Sequence, residues 1–125
     1  MRKPTGTLTP QELAIMKVVW RLQTATVRDV YEAFRKERPV AYTTVMTMMK
    51  LLEDKGYLQK TMVERAHVYT PTKPRSQVVG AMVRDFVDRV FDGASESLLL
   101  HLAKDTRLTD RQRKAVKRIV EEMDE

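Results

Sequence analysis

Ala41-Tyr42-Thr43-Thr44-Val45-Met46-Thr47-Met48-Met49-Lys50-Leu51-Leu52-Glu53-Asp54-Lys55-Gly56 is the stretch whose pattern decides the fold. At about 100° per residue, Val45, Met48, Met49 and Leu52 share one helical stripe at the i, i+3, i+4, i+7 spacing. Thr43, Thr47, Lys50 and Asp54 share the opposite stripe. The first stripe has the composition of a core face. The second is short, mostly uncharged and rich in hydroxyls and methyls, where a helix that only needed solubility would carry more charge. Threonine can hydrogen-bond a base edge or a phosphate and can touch a thymine methyl, so this side suits a helix lying in a DNA groove. The plain alternative is a polar surface and nothing more, and the flanking sequence has to separate the two.

Upstream, two shorter helices are expected. In Leu8-Thr9-Pro10-Gln11-Glu12-Leu13, Thr9 is an N-cap, Pro10 a first helical residue and Glu12 the far side of a capping box, with Leu8 and Leu13 placed as a hydrophobic staple. This helix continues through Met16 to Trp20, whose lone indole in an apolar run reads as a core anchor. Thr26-Val27-Arg28-Asp29 repeats the start signal for a second helix running to about Lys36. Val27, Val30, Tyr31 and Phe34 lie on its inner side, and Arg28, Asp29, Glu32, Arg35 and Lys36 on its outer side. Pro39 stops it, the third helix follows within a few residues, and Gly56 ends that helix as a left-handed cap.

Downstream, Tyr57–Met62 and His67–Thr70 are β-favouring runs around the polar link Val63-Glu64-Arg65-Ala66, which makes a hairpin. Helix, helix, groove-suited helix and hairpin form the order of a winged helix-turn-helix, with Lys60, Arg65 and the adjoining Lys55 placed to reach backbone phosphates.

The charge balance agrees. The chain has 125 residues and a formal charge of +6, and residues 1–72 hold twelve Lys and Arg against seven acids while residues 73–125 hold eleven against ten. A basic excess localised in the first part favours a polyanionic partner, although a soluble basic surface is the alternative. With 42% apolar residues the chain can bury a core. No apolar run of membrane-spanning length and no secretory leader is visible, so a cytoplasmic protein without membrane insertion is expected.

Cysteine is absent, which removes disulfides, thiolate metal sites and thiol nucleophiles. The histidines are His67, in a strand beside Tyr69, and His101, inside a leucine-rich helix, and they do not pair at ligand spacing. No Ser, His and Asp arrangement and no glycine-rich phosphate loop is present. An enzyme, a metal and a cofactor are therefore not expected. The eight methionines invite a copper reading, but Met48 and Met49 belong to the core stripe.

Taken together, Leu8–Trp20, Thr26–Val30, Ala41–Thr47, Lys55–Leu58 and Arg65–Pro71 resemble the penicillinase-repressor family of bacterial winged-helix regulators. That family also includes methicillin-resistance and copper-homeostasis repressors, and the cysteine-rich tail of the copper-sensing branch has no counterpart here. The resemblance implies a homodimeric repressor on a palindromic double-stranded DNA operator. On matching positions it implies Thr43, Thr44 and Thr47 as groove-facing residues and Arg65 as a wing contact, to which the residue reading adds Arg28, Tyr42, Lys50 and Lys60. One departure is Glu64, where the family usually carries glycine.

After Pro71, the charged and proline-containing Lys73-Pro74-Arg75 marks a joint, so residues 1–72 are expected as the DNA-binding domain and 73–125 as a helical dimerisation domain. The fold class expected is mainly α with a small β-hairpin. In the second part Val79, Met82, Val83, Phe86 and Val90 form one stripe. Leu98, Leu99 and Leu102 lie on a short helix from Ser95, and Val116, Ile119 and Val120 on a last helix capped by Thr109 and Gln112. Three such helices in about fifty residues cover their apolar faces poorly alone, so a second copy of the chain is the economical partner. The alternative is that they pack back on the winged helix as one monomeric core.

By the same resemblance, relatives answering β-lactams are cut in these helices by a membrane-bound sensor metalloprotease at an Asn–Phe bond. The matching bond here is His101–Leu102, a departure from that pattern. Two other functions stay open at this point: a winged-helix module that docks a protein partner, and an activator with the same DNA-binding mode.

Overall fold

The structure, a computed structural model, describes residues 8–123. Its elements in order are α1 (Pro10–Leu22), α2 (Val27–Phe34), α3 (Tyr42–Asp54), β1 (Leu58–Val63), β2 (Ala66–Pro71), α4 (Arg75–Phe91), α5 (Ser95–Ala103) and α6 (Asp110–Met123). The chain divides into two compact units, the first ending at Val78 and the second beginning at Val79.

Both expected capping boxes form in the first unit. The Glu12 amide donates to Thr9 Oγ1 at 3.1 Å and the Thr9 amide to Glu12 Oε1 at 2.8 Å. Thr26 and Asp29 repeat the exchange at 3.1 and 3.0 Å. Each box satisfies amides that the first helical turn leaves open. α2 ends at Phe34, two residues before the expected Lys36, because the amides of Glu37 and Arg38 both turn back to the Phe34 carbonyl, at 3.1 and 3.3 Å. α3 ends in a Schellman motif: the Tyr57 amide donates to Leu52 O at 2.9 Å, the Gly56 amide to Glu53 O at 3.0 Å, and Gly56 has φ 90.

Val45, Met49 and Leu52 of α3 are fully buried against Ile15, Met16 and Val19 of α1 and Val30 and Phe34 of α2 as parts of one core. Met48, expected on that stripe, is only half-buried at its edge. Trp20 is buried and its indole N–H donates to the Lys73 carbonyl at 3.0 Å, tying α1 to the segment that leaves the hairpin.

β1 and β2 pair antiparallel from Leu58↔Pro71 to Val63↔Ala66. The connection is thus two residues, Glu64 and Arg65, tighter than the four-residue link read from composition. A third strand contribution has no sequence signal: Ala25, between α1 and α2, bridges Tyr69 through two backbone hydrogen bonds of 3.0 and 2.8 Å. This bridge fastens the hairpin to the start of α2.

In the second unit α5 and α6 pack together, the Thr109–Gln112 capping box forms at 2.9 and 3.1 Å, and Arg113 caps the end of α5 through the carbonyls of Ala103 and Asp105 at 2.8 and 3.1 Å. Phe86, Phe91 and His101 form a chain of edge-on rings 5.9 and 5.2 Å apart. No residue of α5 or α6 is fully buried. No helix among the described residues is long and apolar enough to cross a membrane.

Candidate nucleic-acid interface

With Val45, Met49 and Leu52 drawn inward, the helical period turns Tyr42, Thr43, Thr44, Met46, Thr47 and Lys50 outward, and all six are exposed. Their outward setting is held from below by an ion pair the sequence reading misplaced. Lys55, expected among the phosphate contacts, instead turns into the fold, its Nζ 2.9 Å from both carboxylate oxygens of Glu12. Glu12 is 4% exposed, and a carboxylate so buried needs a cation more than the solvent does. Burial works to raise the Glu12 carboxyl, but hydrogen bonds from Lys55 and the Thr9 amide, with the Lys55 charge, together outweigh it and hold the group below the ordinary glutamate value. The pair links the N-terminus of α1 to the C-terminus of α3, which fixes where α3 lies.

α3, the start of α2 and the hairpin enclose an open groove of about 660 Å³, lined by Thr26, Val27, Arg28, Tyr42, Met46, Thr47, Lys50, Lys60, Ala66, His67 and Tyr69. Five of the sequence-expected residues therefore meet there: Arg28, Tyr42, Thr47, Lys50 and Lys60. Thr43 and Thr44 are exposed on α3 outside that lining, and Arg65 stands at the wing tip. Tyr42 is braced at the rim by an edge-on contact with Tyr31 at 5.4 Å and by the Arg28 guanidinium 5.8 Å from its ring centre. Arg28 also pairs with Glu32 at 3.3 Å and Lys60 with Glu53 at 3.8 Å, whereas Lys50 and Arg65 form no ion pair among the described residues.

The wing tip gives Glu64 a physical meaning. Glu64 has φ 48 and Arg65 φ 69, the left-handed pair of a type I′ turn that favours Asn-Gly. Neither residue is suited to that backbone, so the turn carries strain on the order of 1–2 kcal/mol per residue.

Sequence reasoning missed Thr26, Val27, Met46, Ala66, His67 and Tyr69 as groove residues. Met46 follows Tyr42 by one turn, so its side of the helix was legible, but its apolar type matched no polar role. His67 alternates with Tyr69 along β2, which places both on one side of the strand. A larger groove of about 950 Å³ runs along α1, with Lys17, Arg21 and Lys73 on its walls, and shares no residue with the first. It lacks a hydroxyl-bearing helix, so chemistry and not size selects the smaller groove.

A three-helix core with a two-stranded wing, presenting a hydroxyl-rich third helix beside Arg28 of α2 and Lys60 of the wing, defines a winged-helix DNA-binding regulator. Residues 8–122 match the penicillinase repressor family model, and the chain belongs to that family, which is one of DNA-binding transcriptional repressors and not of enzymes. It is 35% identical over 95 residues to the transcriptional regulator BlaI of Mycobacterium tuberculosis, covering 74% of this chain and 69% of that one. It is 27% identical over 111 residues to the penicillinase repressor of Bacillus licheniformis, covering 89% and 87%. Among solved structures it is similar to the DNA-binding domain of the repressor BlaI, with TM-score 0.53 and 30% identity over 61% of this chain and 92% of that one. It is also similar to monomeric Bacillus licheniformis BlaI in complex with the blaP half-operator, with TM-score 0.52 and 30% identity over the same shares.

Proposed function

We propose that this chain represses transcription in the cytoplasm by binding a near-palindromic double-stranded operator as a homodimer. Thr43, Thr44, Thr47 and Lys50 enter the major groove, Arg28 and Tyr42 hold the entry of α3, and Lys60 and Arg65 meet backbone phosphates on either side of the wing. The observation that supports this most is the outward, hydroxylated face of α3 with Lys50, set beside Arg28 of α2 and Lys60 of the wing over a buried core. A solved relative in complex with a half-operator supports the same reading.

The dimer is proposed from the second unit. Val83, Phe86, Val90, Leu102 and Ile119 are exposed, and Val79, Met82, Leu98, Leu99, Val116 and Val120 only half-buried, so a second copy would cover them. Two recognition helices related by a two-fold axis would read half-sites about 34 Å apart or a multiple of that.

The test is binding of the purified chain to inverted-repeat promoter fragments against random duplex. Thr43→Ala and Thr47→Ala are expected to relax operator preference. Lys60→Ala and Arg65→Ala are expected to weaken all duplexes evenly and to lower the salt slope by about one unit each. Equal binding of every duplex by the wild type, or variants without effect on DNA affinity, would instead favour a protein-docking winged helix.

Release by a membrane sensor metalloprotease at His101–Leu102 is the further part of the proposal. That bond lies in the last turn of α5, a helix without a fully buried residue, so opening it costs little packing. Incubation with the cognate sensor and mass mapping of the products tests it, and an uncut chain or another bond refutes it.

A further inference from the structure

Within the groove between α3 and the wing, one side chain of α3 has no part in the hydrogen-bonding face proposed above. Met46 is long and apolar yet 46% exposed, and it lines the groove beside Thr47, Lys50, Lys60 and His67. It is one turn past Tyr42, the first residue of α3, in the half of the helix that a helix-turn-helix presents to base edges. Most of the other side chains along the groove carry a hydroxyl, a charge or a ring nitrogen, and the other apolar ones, Val27 and Ala66, stand on α2 and the wing, so Met46 is the apolar side chain that α3 itself brings to the groove. A thioether is at best a weak acceptor and donates nothing, so what it gains on binding comes from covering apolar surface. In the major groove the base edges offer donors and acceptors with one apolar exception, the C5-methyl group of thymine.

Resting on the operator-binding reading above, we infer that Met46 reads a thymine methyl and makes one position of each half-site prefer thymine over cytosine. The unbranched, flexible side chain follows the methyl into the groove while Thr47 and Lys50 keep their polar contacts.

The experiment uses the full chain. Operators are first selected from a random duplex pool, and each thymine is then replaced singly by deoxyuridine, which removes the methyl and leaves base pairing intact. Wild-type protein should lose affinity about fourfold at one thymine of a half-site, the worth of roughly one buried methyl. Met46→Ala and Met46→Gln should bind the thymine operator correspondingly less well and be indifferent to the uracil substitution, whereas Met46→Leu should keep the sensitivity. Because the side chain is exposed, thermal unfolding should be unchanged in Met46→Ala, and Met46→Gln supplies a second polar-or-small variant if it is not. The inference is overturned if wild type binds every uracil-substituted operator equally, or if Met46→Ala and Met46→Gln retain the uracil penalty. Failure to select any duplex over random DNA would bring down the operator reading as well, and is distinct from a selected operator that shows no methyl dependence.

Discussion

Phe34 in α2 and Phe86 in α4 are the same side chain on the apolar stripe of an amphipathic helix, yet Phe34 is 1% exposed and Phe86 41%. The contrast extends to their surroundings. Around Phe34, three helices and a fastened hairpin close over Ile15, Val30, Val45 and Leu52. Around Phe86, the second unit keeps Val83 and Val90 in the open and buries no residue of α5 or α6. An apolar stripe states what a helix needs, while burial depends on how many other faces the chain can bring to it. The first unit can supply those faces from within itself, and the second has too few.

The largest effect that can break this contrast is on stability. Phe34→Ala should cost about 3–5 kcal/mol in urea unfolding of the full chain, the usual cost of emptying a closed aromatic site. Phe86→Ala, followed at low protein concentration, should cost less than about 1 kcal/mol, because a half-open site leaves little cavity. Equal costs would show that the two regions are packed alike.

Next, the contrast sharpens if the open stripe is charged. If the proposed dimer forms through this stripe, Val83→Asp with Val90→Asp should raise its dissociation constant on the order of a hundredfold in sedimentation equilibrium, since each acid would be carried into an apolar interface. The melting of the first unit should not change. An unaltered dissociation constant would move the interface elsewhere.

A smaller effect tests the ion pair that closes the first unit. Lys55→Met leaves Glu12 buried without its cation and should cost about 1–3 kcal/mol at neutral pH. Glu12 titrates below the ordinary value of 4.5 in the folded chain, so its contribution is fully present above that pH and is lost as pH falls through the lower, folded value. Acid unfolding of wild type should show this loss, and Lys55→Met should abolish it. Smallest of all, Glu64→Asn should add roughly 0.5 kcal/mol by relieving the left-handed turn, read as a small rise in melting temperature.

Much of the first unit was legible because its signals are local. Thr9 with Glu12, Thr26 with Asp29, and Gly56 after α3 act within one turn of the residues they stop or start, and each appears where its pattern stands. The outward threonines follow from helical period once Val45, Met49 and Leu52 are known to be core. Lys55 was misread because a lysine beside a helix end looks alike whether it meets solvent, phosphate or a carboxylate 43 positions earlier in the chain. Met46 was passed over because its apolar type matched no polar role, and only the wing shows that a groove lies beside it.

The amino-acid order on its own determined the helices, their caps, the core stripe of α3, the hydroxyl-bearing face opposite and the strand that follows, because all of these depend on contacts a few residues apart. Tertiary structure alone decided that Glu12 captures Lys55, that Ala25 fastens the hairpin at Tyr69, that Glu64 and Arg65 form a two-residue turn, and that Met46 and His67 face a common groove. Apart from the turn, whose length follows from the register of the strand pairing, those are meetings of residues far apart in the chain, and their free energy comes from desolvation and fit at a place that no local pattern specifies.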